Sequence, residues 1–154
     1  MTQEKKTMKP VDIIVITYQR LNYLKILFNE LSRNTEYPYR LIVIDNGSID
    51  GTREWIEKMY KKGKIWKYLF NKENEMLSES FQMGLELVES ELFITTQDDI
   101  IPPKLSPCWL TQMVELMKEK PKLIAITMDY VNEGIYRYLT QRYGKKRAAS
   151  IVKK

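Results

Sequence analysis

Leu41-Ile-Val-Ile-Asp45-Asn46-Gly47-Ser48-Ile49-Asp50-Gly51-Thr52 is the stretch on which the fold turns. Four apolar residues, three of them β-branched, end on an acid and then on turn chemistry, Asn-Gly-Ser, which reads as a buried strand opening into a polar loop. Asp50 or Thr52 can then cap a helix carrying Trp55, Ile56 and Met59. Further along, Leu92-Phe-Ile-Thr-Thr-Gln97-Asp98-Asp99 repeats the arrangement, an apolar strand closed by acids. Acids at the carboxyl ends of strands in an open parallel sheet lie where such sheets bind ligands. Two such ends can converge on one nucleotide and one metal ion.

Working outward from these two segments, the same alternation recurs. Val11 to Thr17 is a β-branched run that reads as a buried parallel strand. Leu21 to Leu31 has apolar residues at helical spacing, and Pro38 marks the loop after it. Gly63 lies in a charged turn, followed by a third strand over Ile65 to Phe70. Met76 to Val88 is helical in spacing, Leu92 to Thr96 is the fourth strand, and Pro102-Pro103 breaks the chain. Trp109 to Met117 is a helix stopped before Pro121, and Leu123 to Met128 is a fifth strand. The expected order is βαβαβαβαβ: an α/β, doubly wound, mainly parallel sheet with helices on both faces.

Composition narrows the chemistry. The 154 residues suffice for one domain burying roughly 70% of its unfolded surface. Histidine is absent, which removes imidazole bases and His-ligated zinc. The single Cys108 rules out an internal disulfide, fits a reducing, cytoplasmic setting, and reads as structural, with nothing near it in sequence to suggest a lowered pKa. The polar, charged stretch Met1 to Pro10 is not expected to be a signal peptide, and no apolar run approaches the ~20 residues of a membrane span.

The net charge of +5 is concentrated at one end. Residues 134–154 carry seven basic groups and no acid, while the other 133 residues carry 18 basic and 20 acidic groups. The expected organisation is therefore a domain over 1–133 and a basic segment over 134–154. Tyr136, Leu139 and Tyr143 share one helical face of that segment, ringed by Arg137, Arg142 and Lys145 to Arg147. It reads as a helix packed on the domain with a solvated end, as a peripheral contact with an anionic membrane surface, or as a site for another polyanion. The nucleic-acid version is disfavoured, because no recognisable module accompanies it.

No glycine-rich phosphate loop of the dinucleotide or P-loop type is present, which argues against dehydrogenases and P-loop NTPases. A diphosphate can instead be held through a hard divalent cation, Mg²⁺ or Mn²⁺, on carboxylates. Asp98 and Asp99 are adjacent, so their side chains diverge on an extended backbone.

The chain resembles the amino-terminal, donor-binding half of a GT-A glycosyltransferase of the inverting family 2, a Rossmann-like fold here in minimal or truncated form. Val43-Ile-Asp-Asn-Gly-Ser-Ile-Asp-Gly-Thr52 is similar almost letter for letter to the family's Val-Asp-Asn-Gly-Ser-Thr-Asp-Gly-Thr. Ile14-Val-Ile-Thr-Tyr-Gln-Arg20 resembles a first strand ending in Thr-Tyr-Asn-Arg. Phe81-Gln-Met-Gly84 stands where the family has Asn-x-Gly, and Gln97-Asp98-Asp99 stands in place of the D-x-D motif. The likeness covers about residues 10–130.

The resemblance implies transfer of a sugar, metal-assisted and with inversion, from a nucleotide diphosphate sugar, UDP-linked for preference, to an unknown glycan, lipid-linked or protein acceptor. It implies that Tyr18 stacks on the base beside Thr17, that Asp45 and Asn46 hydrogen-bond the base, that Asp98 faces the ribose, and that Asp99 binds Mn²⁺ or Mg²⁺. Gln97 departs from D-x-D and removes one anion. Gln82 replaces the usual Asn, and Asn71 to Asn74 lacks the glycine often found after the third strand. Asp129 and Glu133 are the candidate general bases, with solvated loop acids as the plainer reading. The acceptor half that the family carries is not in this sequence; a homodimer or a partner subunit is one way in which the acceptor site could be completed. The alternative function is a catalytically inactive nucleotide-sugar-binding subunit or regulator. A nucleotidyltransferase is disfavoured because Tyr18 to Asn22 contains no glycine.

Overall fold

In the computed structural model, which describes residues 8–120 and Lys122, four strands alternate with four helices. The strands are β1 (Val11–Thr17), β2 (Tyr39–Asp45), β3 (Lys67–Phe70) and β4 (Phe93–Gln97); the helices are α1 (Leu21–Asn34), α2 (Thr52–Lys61), α3 (Leu77–Leu85) and α4 (Trp109–Glu119). The chain divides into two units, residues 1–118 and 119–154. The description that follows is of the first. The expected fifth strand, the boundary at 133/134, the basic segment, Asp129 and Glu133 all lie outside the described residues.

All pairings are parallel, in the order β3-β2-β1-β4. The order explains the layering. The chain steps from β1 to β2 to β3 in one direction, so right-handed crossovers put α1 and α2 on the same face. It then crosses back to pair β4 with β1, which sends α3 to the opposite face. The side chains follow. Val11, Ile13, Val15, Leu41 and Val43 pack with Leu24, Leu27 and Leu31 of α1, Ile56 of α2, and Trp109, Leu110 and Val114 of α4. Ile14, Ile16, Ile42 and Ile44 point the other way, against Phe81 and Leu85 of α3 with Leu87, Val88, Trp66 and Leu69. Both faces of β1 and β2 are covered, which is why these strands read as continuous apolar runs.

One glycine sets the height of α3. A Cβ on Gly84 would lie 2.6 Å from Ile14 Cγ2, so α3 can rest on β1 only because that position is bare. This is the physical content of Phe81-Gln-Met-Gly84.

Several boundaries differ from expectation for local reasons. β3 begins at Lys67 and not Ile65, although Trp66 N–H already donates to Leu41 O at 2.9 Å and Ile65 is buried. α3 stops at Leu85; Leu87 and Val88 continue it only with short-range bonds to Gly84 O and Leu85 O. At α2 neither expected residue occupies the cap. Gly51 takes that position at φ 91°, a left-handed conformation suited to glycine, and Asp50 Oδ1 accepts from Thr52 N–H at 3.2 Å from one residue earlier. Asp50 Oδ2 also accepts from Leu21 N–H at 3.1 Å, so one carboxylate serves the first turns of α1 and α2. Burial pushes the Asp50 carboxyl up, but the Thr52 hydroxyl and the N–H groups of Leu21 and Thr52 outweigh it and hold it below the usual carboxylate range.

Cys108 is buried, as expected of a structural thiol. Its pKa corrects the sequence expectation. Burial raises it, but the Thr111 hydroxyl, 3.1 Å from Sγ, and backbone N–H groups of Thr111, Tyr37 and Glu36 together bring it below the usual thiol value. Tyr37 and Glu36 belong to the loop between α1 and β2, so their approach is a tertiary event.

Candidate active site at the carboxyl edge of the sheet

The strand register places the expected residues in one row. Thr17 pairs with Asp45, Asp45 pairs with Phe70, and Ile16 pairs with Gln97, so Thr17, Asp45 and Asp98 are level at the carboxyl edge. The strand order reverses between β1 and β4, and the crevice outside such a switch point is the favoured ligand position of an open α/β sheet.

Two loops are tied together above that edge. Asn46 N–H donates to Thr17 O at 2.8 Å and Asn71 N–H to Asp45 O at 2.9 Å, extending the ladder past the strands. Gln19 sits at φ 54°, an uncommon conformation for a residue with a side chain, and its N–H donates to Ser48 Oγ at 2.8 Å. Tyr18, just before it, keeps its side chain well exposed. Gly47 (φ 90°) permits a close pass: a Cβ there would lie 2.7 Å from the Glu73 carbonyl carbon. The segment after β3 therefore meets its glycine on the facing loop and needs none of its own.

Asp45 is fully buried at the end of β2. Its Oδ2 accepts from Arg53 Nε at 2.8 Å and from Ser48 N–H at 3.0 Å. Arg53 also donates from Nη2 to Asn71 O, and its guanidinium lies 5.2 Å from the centre of the Phe70 ring. Asp45 Oδ1 has no partner, and among the described residues it is the one buried side-chain polar atom in that state. Buried acceptors are rarely left so, because the desolvation cost is not recovered.

Asn46 behaves differently. Its Nδ2 donates to Asn74 Oδ1 at 2.8 Å and to Glu75 O at 2.7 Å, and its Oδ1 accepts from Asn71 Nδ2 at 2.9 Å, Glu75 N–H at 3.0 Å and Ser80 Oγ at 3.0 Å. Both amide protons and the carbonyl are engaged, so the side chain locks the 71–75 segment and α3 to the end of β2.

β4 ends at Gln97, and the two acids lie in the turn after it, where Ile100 N–H donates to Gln97 O at 3.3 Å, rather than on the extended backbone expected. Asp98 is buried and accepts from the Thr17 hydroxyl at 2.7 Å, which is where the buried Thr17 side chain spends its donor. Asp99 is partly exposed, and Arg20 Nη1 donates to its Oδ2 at 2.8 Å. The same Nη1 is 3.6 Å from Asp98 Oδ1. Burial pushes the Asp98 carboxyl above the usual carboxylate range; the Thr17 hydroxyl and Arg20 pull it down and Asp99 pushes it up, with burial prevailing.

No group of three or more acidic, Cys or His side chains able to enclose a metal exists among the described residues. Two adjacent carboxylates at the mouth still suit Mg²⁺ or Mn²⁺, which bind through one or two carboxylates and complete their shell with phosphate and water. The donor set is hard oxygen and fits such an ion. Arg20, Arg53, Ser48, Asn71 and Ser80 join the site without having been singled out from sequence. Arg20 stood in the quoted first-strand pattern and Arg53 directly after Asp-Gly-Thr, so position in a motif was their one visible signal.

The comparisons with known proteins agree with this geometry. An uncharacterized glycosyltransferase of Haemophilus influenzae is 26% identical over 116 residues, which cover 75% of this chain and 35% of that protein. The chain thus spans about a third of the length of that curated relative. Among solved structures, the Pyrobaculum calidifontis mannosyltransferase PcManGT, in complex with GDP-Man and Mn²⁺, superposes with a TM-score of 0.62 at 20% identity over 72% of this chain and 33% of that one. S. aureus TarS 1-349 in complex with UDP-GlcNAc gives 0.63 at 19% identity over 84% and 38%. At such identities the likeness is one of fold. The sequence profile of glycosyl transferase family 2 matches residues 12–151. That match spans nearly the whole chain, on a sheet whose fold these structures share, and it makes this protein a member of glycosyl transferase family 2.

Proposed function

We propose that the chain is the donor-binding part of an inverting glycosyltransferase that takes its sugar from a nucleotide diphosphate sugar, UDP-linked for preference. The unpartnered Asp45 Oδ1 carries this reading. A buried carboxylate oxygen in need of a donor suits a base that presents a ring N–H, as uracil, thymine and guanine do. The complexes of the structural neighbours with UDP-GlcNAc and GDP-Man support the same ligand class.

In this reading Arg53 and Ser48 orient Asp45 toward the base. Tyr18 offers its exposed ring for stacking, and Asp98, fixed by Thr17, faces the ribose. Asn46 contributes by holding the surrounding loops, since its own amide is spent. Asp99 holds the divalent cation, which when bound neutralises charge on the departing diphosphate. Asp129 and Glu133 remain the proposed bases for the acceptor hydroxyl. The basic segment 134–154 is proposed to lie on an anionic membrane surface, near lipid-linked acceptors. No helix among the described residues is long and apolar enough to cross a membrane.

Calorimetric titration of UDP with and without Mn²⁺, on wild type and Asp99→Ala, tests the donor site. We expect binding that Mn²⁺ strengthens in wild type and not in the variant. Failure of UDP, GDP and dTDP alike to bind, with or without metal, would overturn the proposal.

A further inference from the structure

Among the described residues, Arg20 is the one that touches both acids after β4 and that the donor-site reading does not use. It stands at the cap position of α1, with no capping role for its side chain. Its guanidinium reaches across from the β1 loop to Asp99 at 2.8 Å and to Asp98 at 3.6 Å, with the Tyr23 ring 5.7 Å away. The backbone below it does not drift: Gln19 N–H is held by Ser48, Leu21 N–H by Asp50, and Arg20 O accepts from Leu24 N–H at 3.0 Å. The side chain itself is half exposed, so it can leave the acids without opening the core. The local charge favours such an occupant. Gln97 has already removed one anion from the motif, leaving two carboxylates and one guanidinium within a few ångströms.

We propose that Arg20 is an internal counter-ion competing with the divalent cation for Asp99, and that on displacement it becomes available to the donor diphosphate. This deepens the donor-site reading and rests on it. The competition follows from electrostatics alone. A guanidinium donating to Asp99 Oδ2 cancels the charge that would attract a cation, and two cations at one carboxylate repel each other. Metal binding at Asp99 therefore works against the Arg20–Asp99 pair and favours release of the guanidinium. The freed guanidinium is then a planar donor beside phosphate oxygens, a pairing it makes well. In the ligand-free site Arg20 keeps two adjacent acids from repelling; in the loaded site it adds positive charge where the leaving group carries negative charge.

Two titrations on the full chain read this with opposite signs. In the first, Mn²⁺ alone is titrated without nucleotide, free Mn²⁺ being followed by electron paramagnetic resonance. Arg20→Gln should bind Mn²⁺ roughly two- to fivefold more tightly than wild type, the range of a partly exposed ion pair. Arg20→Lys, which keeps the charge, should stay near wild type. The gain should vanish in the double variant Arg20→Gln/Asp99→Asn. In the second titration, UDP at saturating Mn²⁺ should bind Arg20→Gln roughly tenfold more weakly than wild type, through loss of a charge-assisted contact. Loss of a purely structural residue would weaken both. Unchanged or weaker Mn²⁺ binding in Arg20→Gln overturns the competition, as does a gain that survives without Asp99 or a lysine variant that matches the glutamine one. The two proposals fail separately. Wild type that binds no UDP, alongside a tighter Mn²⁺ site in Arg20→Gln, would sink the donor reading and keep the competition. UDP binding with an unmoved Mn²⁺ affinity would do the reverse.

Discussion

Asp12 and Asp45 lie at opposite edges of one sheet, each fully buried and each paired with an arginine, yet they are in different chemical states. Asp12, at the amino edge on β1, accepts from Arg40 Nε at 2.7 Å and Nη2 at 3.0 Å and from the N–H groups of Glu89 and Ser90 at 2.8 and 2.9 Å. Arg40 itself stacks on an aromatic ring, its guanidinium 3.5 Å from the centre of Trp66. Both oxygens that burial took from water have protein donors. Asp45, at the carboxyl edge, has one oxygen served twice and one not at all. A saturated buried acid is part of the scaffold, and the idle acceptor of Asp45 is the observation on which the proposed donor site rests. The difference lies in the neighbours: at the amino edge the backbone N–H groups of Glu89 and Ser90 and the guanidinium of Arg40 reach both oxygens of Asp12, whereas at the carboxyl edge Arg53 and Ser48 both donate to the same oxygen of Asp45.

Substitution should separate the two edges. Asp12→Ala would leave Arg40 and two backbone N–H groups without their acceptor, and should cost about 3 kcal/mol of stability in urea unfolding, with the nucleotide affinity of the folded protein unchanged. A cost under about 1 kcal/mol would break the comparison. Asp45→Asn should do the opposite. Its unfolding midpoint should move less than that of Asp12→Ala, while UDP affinity falls by about a hundredfold, the value of a hydrogen bond to a charged group. Equal binding by Asp45→Asn and wild type would remove Asp45 from the donor site.

Gly84→Ala tests the layer beneath both edges. A methyl 2.6 Å from Ile14 Cγ2 must lift α3 or distort β1, for a loss of about 2 kcal/mol in thermal unfolding. Because Ser80 on the same helix braces Asn46, UDP binding should also weaken, though less than in Asp45→Asn.

The smallest effect expected is a pH dependence of opposite sign at two acids. Hydrogen bonds from Arg40 and the N–H groups of Glu89 and Ser90 outweigh burial at Asp12 and hold its carboxyl below the usual range, so the stability it contributes is present above the unfolded carboxylate value and lost as pH falls through its lower folded value. Asp98 is raised by burial, so the folded protein binds its proton more tightly than the unfolded chain does, and stability is lost as pH rises from the unfolded value through the folded one. Asp98→Asn, which can still accept from Thr17, should therefore compare more favourably with wild type at pH 7 than at pH 3.5, by a fraction of a kcal/mol in paired urea titrations. The same difference at both pH values would mean that Asp98 is not strained by its burial.

Much of this was legible along the chain because the signals are local. The strand Val11–Thr17 has the bounds its sequence implies, since a strand covered on both faces is apolar at nearly every position; Asp12, buried against Arg40, is the acid it carries inside. The acids of the carboxyl edge were found because strand, acid and turn residue are neighbours in sequence. What sequence alone determined, then, was the alternation of strands and helices, the acids that close them, and the motif that names the family. Arg20 against Asp99, Asp50 shared by two helices, Thr17 spent on Asp98, and the saturation of Asn46 were decided by tertiary structure alone. Each is a contact between segments far apart in the chain, and whether a lone pair is filled or idle depends on which segments the fold brings to it. The types of residue are written in the sequence, but their hydrogen-bond partners exist only once the sheet has set its register.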